Sequence, residues 1–304
     1  MVRRGSQCLA NHLSPVRAIG EAGLQAAVLR GKRSVQRPTR TGRRADSHWP
    51  AGRFGKPTED QAVREGLNPH NIIVVGNPIV DILNHYYFSR KPIFERMASP
   101  AFFASRGLQK GGYYLMTCHR RENVHLPGSL GAIMELVGQA PLPVYFPASY
   151  RTQKVIQQSG LVLPGNVTMV DPIGYEEMLC LMVNSRGVLT DSGTVVEETC
   201  VLQVPSLQMR KSTERPQVYD AGSSVKFDPA LPELYPAGVV FRKMESLVGK
   251  SWEHDLGDGR SSSRIAEDLH RRIVENDFRR HSPEDYHVPI ERSFREDGLC
   301  LPEA

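Results

Sequence analysis

From Asn71 to about Phe227, short apolar runs rich in β-branched and aromatic residues alternate with segments of helical periodicity, and nothing else in the chain limits its fold as strongly. Strands are expected at Ile72–Val75, Tyr113–Thr117, Val144–Phe146, Val167–Val170, Val188–Thr190, Val204–Met209 and Ser224–Phe227. Helices are expected at Ile79–Tyr87, Ser129–Val137, Thr152–Gln158, Tyr175–Val183, Val195–Val201 and Pro216–Asp220. Strands that alternate with helices over short loops imply a parallel sheet with helices on both faces. The nearly continuous apolar character of the runs fits strands buried on both sides.

The flanks read differently. Residues 1–65 carry Pro, Gly, Ser and Arg clusters with little periodicity, and 228–262 mix Pro and Gly with short apolar pieces. Ile265, Leu269 and Ile273 recur every four residues, so a closing helix is expected over Ser262–Asn276, followed by an extended strap. Of the net charge of +5, residues 1–50 contribute +8, from ten Lys and Arg against Glu21 and Asp46. The remainder carries −3, so basicity belongs to one segment. That segment has few aromatics to stack bases, and nucleic acid is not the expected partner. No stretch approaches the ~18 to 20 apolar residues of a membrane span, and Met-Val-Arg-Arg at the start has no apolar run behind it. Five widely spaced cysteines form neither a CxxC pair nor a zinc-ligand spacing. The expected compartment is the cytoplasm.

Ligands of a doubly wound sheet bind outside the carboxyl ends of its strands, and three such loops are polar. In Val188-Leu-Thr-Asp-Ser-Gly-Thr-Val-Val-Glu-Glu198 a small-residue turn opens a helix. The backbone N–H groups of Ser192, Gly193 and Thr194 would face an anion there, and Glu198 could accept from a ribose diol. Read locally, Asp191-Ser192 serves equally as a helix cap, with Glu197 and Glu198 in solvent. In Thr117-Cys-His-Arg-Arg-Glu-Asn123, His119 could move a proton or be a structural histidine. In Met209-Arg-Lys-Ser-Thr-Glu-Arg-Pro216, Arg215 could neutralise a diphosphate or pair with Glu214 in a surface turn.

Together these stretches resemble the UDP-N-acetylglucosamine 2-epimerases of glycosyltransferase-B architecture. The resemblance rests on Val75-Gly-Asn-Pro-Ile-Val-Asp81, Cys118-His-Arg-Arg-Glu-Asn123, Asp171-Pro-Ile-Gly-Tyr175, Leu189-Thr-Asp-Ser-Gly193 with Glu197-Glu198, and Thr213-Glu-Arg-Pro216, in order and spacing. It implies an α/β chain with a Rossmann-like parallel sheet, the C-terminal domain of that architecture, over residues 69–262. Residues 1–68 would be a remnant of the N-terminal domain, and 263–304 a closing helix and strap. The implied reaction interconverts UDP-GlcNAc and UDP-ManNAc by elimination of UDP to a 2-acetamidoglucal and re-addition on the other face. Ser192, Gly193 and Thr194 would hold the diphosphate, Glu198 the ribose and Arg215 the phosphate side. The Ile173 backbone and Met178 would line the uracil. His119 and Glu21 would be the catalytic pair, His119 assisting UDP departure. The family's chemistry calls for a UDP-sugar and for neither cofactor nor metal, and it leaves a homodimer open.

Departures from the family pattern are local in the UDP-binding part and larger upstream, where the family's opening strand, its Gly-Thr-Arg-Pro-type loop and a catalytic Asp are not recognisable. Thr194 stands where the family has glycine, and its Cβ would restrict positive φ and close approach to phosphate. Val196 replaces a glutamine, and Ala148-Ser-Tyr-Arg-Thr152 lacks a His-Pro pair. Ile173 and Met178 replace the more usual Gln and Phe. Upstream, Glu21-Ala-Gly-Leu24 and Arg43-Arg44 resemble the end of the family's N-terminal domain, whereas Arg37-Pro-Thr-Arg40 stands where a Pro-Glu-Glu motif belongs. Inversion at C2 needs proton removal and delivery on opposite faces. With Glu21 and His119 as the recognisable candidates, UDP-sugar binding is expected and turnover by this chain alone is expected to be weak. The alternatives are a catalytically idle UDP-binding subunit and a hydrolysing epimerase that releases ManNAc.

Overall fold

The computed structural model describes residues 72–275. They fall into two groups, Gly76–Ser262 and the short stretches 72–75 with 263–275. The first group carries the sheet. Its elements are α1 (Pro78–Tyr86), a 3-10 turn at Phe88–Arg90, α2 (Lys91–Met97), α3 (Pro100–Ala104), β1 (Tyr114–Thr117), α4 (Arg121–Val124) and α5 (Pro127–Gly138). There follow β2 (Val144–Pro147), α6 (Tyr150–Ser159), β3 (Val167–Val170), α7 (Tyr175–Val183), β4 (Gly187–Thr190) and α8 (Gly193–Val201). β5 (Ser206–Met209), α9 (Gln217–Asp220), β6 (Ser224–Phe227), a 3-10 turn at Pro232–Leu234 and α10 (Ala237–Glu245) complete the first group, and all but the first two residues of α11 (Ser261–Val274) belong to the second.

All six strands are parallel, in the order β3-β2-β1-β4-β5-β6. The chain works outward from β1 to β3, then returns to place β4 on the other side of β1. This is the doubly wound order of a Rossmann-like sheet, and its switch point lies between β1 and β4. Along β1 the side chains alternate faces. Tyr114 and Met116 pack with Leu130, Ile133 and Val137 of α5 and with Val240, Phe241 and Met244 of α10. Tyr113 and Leu115 pack the other way, with Leu181 and Met182 of α7. Every residue of β1, β2, β4 and β5 is buried, whereas β3 and β6, at the edges, are only partly so.

Six expected strands and seven expected helices are present within a few residues of their expected limits. The exception is Ile72–Val75, which pairs with no strand. The next residue, Gly76, has φ +89°, and a Cβ there would lie 2.9 Å from Ser261 Oγ. Beside it the Asn77 N–H donates to the Leu256 carbonyl at 2.7 Å. The Val75-Gly-Asn-Pro stretch is thus a close crossing of two chain segments, which explains its glycine. The Asp81 carboxylate accepts from the N–H groups of Ser261 and Ser262 at 3.2 and 2.8 Å and so caps α11. Helix α10 was expected as irregular chain, yet Ala237, Val240, Phe241 and Met244 fall at i, i+3, i+4 and i+7 and are all buried. Pro236 and Gly238 masked that period, although a proline just before a helix is no obstacle to it. In the second group, Arg271 and Arg272 of α11 both pair with Asp268.

Residues 1–68, with Glu21, and the strap beyond residue 275 lie outside the described residues. No described helix is long and apolar enough to cross a membrane.

Candidate functional site at the switch point

The three polar loops leave the carboxyl ends of β1, β4 and β5, which are neighbours in the sheet. Thr117 and Thr190, paired in register between β1 and β4, touch through their hydroxyls at 2.5 Å. Thr190 Oγ1 also accepts the Ser192 N–H at 3.0 Å. The sequence reading had offered that N–H to an anion; it is spent inside the turn. Ser192 is instead the N-cap of α8, its Oγ accepting from the Val195 N–H. Among the described residues, the Gly193 and Thr194 N–H groups meet no acceptor. They stand at the positive end of a nine-residue helix, where an anion is favoured. Thr194 is exposed and carries no positive φ, which among described non-glycine residues is confined to Gln203. The expected conflict between its Cβ and the backbone is therefore absent.

Asp191 does not cap the helix. Its fully buried carboxylate reaches across the switch point and accepts from the N–H groups of His119 and Arg120 and from Asn123 Nδ2. The loop after β1 is thereby tied to the end of β4. The His119 ring remains half exposed, with Nδ1 3.8 Å from Asp191 Oδ1. Charges ring the start of α8. Glu214 bonds Arg210 at 2.8 Å and Arg120 at 3.4 Å, and Arg210 also faces Glu122 at 3.5 Å. A Cβ on Gly193 would lie 3.4 Å from both Arg120 Nη2 and Glu214 Oε1, so the Arg–Glu pair sits directly over the helix start.

Helix α8 also carries two adjacent carboxylates that are buried rather than solvated. Glu198 accepts from the Tyr175 hydroxyl at 2.8 Å, and burial pushes its carboxyl up to about 7. Glu197 is paired with Arg215 and accepts from Asn77 Nδ2 at 2.7 Å. Burial pushes it also to about 7, against the pull of Arg215 and Asn77. Two buried carboxylates whose ionised forms are disfavoured, side by side at a strand-end site, are a pattern of functional sites. Ile173 and Met178, at the start of α7, are half-buried and pack on the same apolar cluster as Val195 of α8. The sequence reading did not single out Asn77, Tyr175 or the carboxylate of Asp191 as a clamp. Their partners lie 120, 23 and 72 residues away, so no local signal marks them.

The strand order defines a Rossmann-like domain whose switch point carries a helix start with N–H groups open to an anion. A family model described as UDP-N-acetylglucosamine 2-epimerase matches residues 55–270, and the chain belongs to that family. The chain is 32% identical over 222 residues to a UDP-N-acetylglucosamine 2-epimerase of Methanocaldococcus jannaschii, covering 69% of this chain and 58% of that protein. It is 35% identical over 181 residues to a Pseudomonas aeruginosa UDP-2,3-diacetamido-2,3-dideoxy-D-glucuronate 2-epimerase, covering 58% and 48%. The crystal structure of the Methanocaldococcus jannaschii enzyme in complex with UDP-GlcNAc and UDP superposes with a TM-score of 0.60 at 30% identity, over 70% of this chain and 59% of that one. The chain thus spans about three fifths of the length of the first of these relatives.

Proposed function

We propose that this chain binds a UDP-sugar at the β1/β4 switch point and that the site serves inversion at C2, with UDP-GlcNAc and UDP-ManNAc as the interconverted pair. The observation that carries the reading is helix α8, which offers unengaged N–H groups at Gly193 and Thr194 and, about one turn on, the buried Glu198. The diphosphate lies over Gly193 and Thr194, where the Ser192 hydroxyl can donate to it while its oxygen caps the helix. Arg215 supplies the cation on the phosphate side. Glu198 takes the ribose diol, its carboxylate steadied by Tyr175. The Ile173 backbone and Met178 flank the uracil.

In the reaction, the C2 proton is removed as the bond from C1 to the UDP oxygen breaks, leaving 2-acetamidoglucal. His119 sits at the end of β1 with its ring exposed, where a protonated imidazole can stabilise or protonate the departing phosphate. Re-addition of UDP to C1 with protonation of C2 on the opposite face completes the inversion. Glu21 is proposed as a second proton carrier. The two named relatives act on differently substituted sugars and share UDP and the 2-epimerisation, so the UDP half of the site is the common part.

Proton NMR of UDP-GlcNAc in D2O with the purified chain tests the reading. Deuterium at C2 together with UDP-ManNAc is the expected sign of epimerisation. Free ManNAc and UDP would mark a hydrolysing enzyme. UDP bound without either product would mark a binding subunit.

A further inference from the structure

Helix α8 sends its two buried carboxylates to different partners, and the proposed reading uses only Glu198. Glu197 is as deeply buried, at 4% exposure, and is given no contact with UDP itself. Its Oε1 is ion-paired with Arg215 Nε and accepts from Asn77 Nδ2. The Asn77 amide is fixed in turn. As N-cap of α1 its Oδ1 accepts the Ile79 N–H at 3.0 Å, and its backbone N–H is held by Leu256. A flipped amide would set its NH2 against an N–H donor and its oxygen against a carboxylate, so the orientation is determined. Arg215 is gripped a second time where Nη1 donates to the Glu214 carbonyl at 3.1 Å. The ion pair at Nε and the hydrogen bond at Nη1 hold the guanidinium from two sides.

We propose that Glu197 is the positioning residue for the diphosphate cation: anchored by Asn77, it aims the Arg215 guanidinium at the phosphates. The inference rests on the placement of Arg215 proposed above. A buried ion pair is a poor stabilising device, since apolar replacements of similar volume are often as stable. Here the pair joins the start of α1, the middle of α8 and the loop after β5, three segments distant in sequence. Such a relay gives an arginine on a surface loop the fixed orientation that bidentate contact with phosphate requires.

The test compares UDP with uridine, which lacks the phosphates, by calorimetry on the whole chain carrying Glu197→Gln, Arg215→Ala or both. Expected is a loss of about 10-fold in UDP affinity for Glu197→Gln, with uridine within about twofold. The double variant should bind UDP no more weakly than Arg215→Ala alone, because both changes remove one interaction. Equal weakening of UDP and uridine would make Glu197 merely structural and overturn the proposal. So would unchanged UDP affinity in Glu197→Gln beside a clear loss in Arg215→Ala. Unchanged UDP affinity in Arg215→Ala would instead sink the placement of Arg215, and the positioning role with it. If Glu197→Gln does not fold, Asn77→Ala reads the same relay. It should weaken UDP several-fold and spare uridine, and the reverse pattern would count against the proposal.

Discussion

The carboxylate of Asp191, at the end of β4, is bonded by the backbone N–H of His119, at the end of β1, at 3.1 Å to one oxygen and 3.0 Å to the other. Arg120 N–H and Asn123 Nδ2 share the same group. One buried side chain therefore sets the distance between the histidine loop and the helix start at the switch point.

Asp191→Ala is expected to cost about 2 to 4 kcal/mol, because it leaves buried N–H groups without an acceptor. UDP affinity should fall with it, since the histidine loop loses its anchor. Urea denaturation measures the first effect. A loss below about 1 kcal/mol would show that the loop is held by other contacts.

Glu198 should destabilise the unliganded protein at neutral pH. Its carboxyl moves from an ordinary 4.5 to about 7 on folding. Below the lower value it is protonated in both states; above the higher one the folded chain must bury a charge. Its contribution to stability is thus fully present in acid and is lost as pH rises through that window. Glu198→Gln should gain on the order of 2 to 3 kcal/mol at pH 8 and nothing near pH 4. The same variant should bind UDP about 10-fold or more weakly. Thermal melts across pH, differenced against the parent, check the first claim. A gain that does not depend on pH would contradict it.

Proton release should accompany binding. The ribose diol donates two hydrogen bonds, which favour the ionised carboxylate. At pH 6.5 UDP-GlcNAc should therefore displace a proton from Glu198. Calorimetry in buffers of different ionisation enthalpy reads the release, which should vanish in Glu198→Gln and shrink at pH 8.5.

Thr194→Gly should leave UDP affinity within about twofold, because Thr194 already sits in the first turn of α8 without backbone strain. Stability should fall by up to about 1 kcal/mol from the lower helix propensity of glycine. A marked tightening of UDP would mean that the threonine side chain crowds the phosphates.

The elements that were legible from sequence were those whose burial leaves a period or an unbroken apolar run. Tyr175–Val183 was read to the residue, and β4 within one, because each buries a continuous run of chain. Ile72–Val75 failed the same rule: apolar runs satisfy strand propensity, but only a neighbouring edge makes a strand. The polar loops were legible as a set because their residues follow strands. The roles within them were not. Asp191 was read as a cap, the local use of such a residue, while its partners lie across the switch point.

The sequence by itself determined the alternation of strands and helices, the parallel sheet, the edge where polar loops gather and the family to which those loops point. Each of these is carried by neighbours along the chain: side-chain periodicity, turn residues and short motifs. Tertiary structure decided the strand order that puts β1 beside β4. It also decided which N–H groups of the α8 start remain open, and that Glu197 and Glu198 are buried and turned to different partners. Those properties depend on desolvation and on contacts between segments far apart in sequence, and no local pattern encodes either.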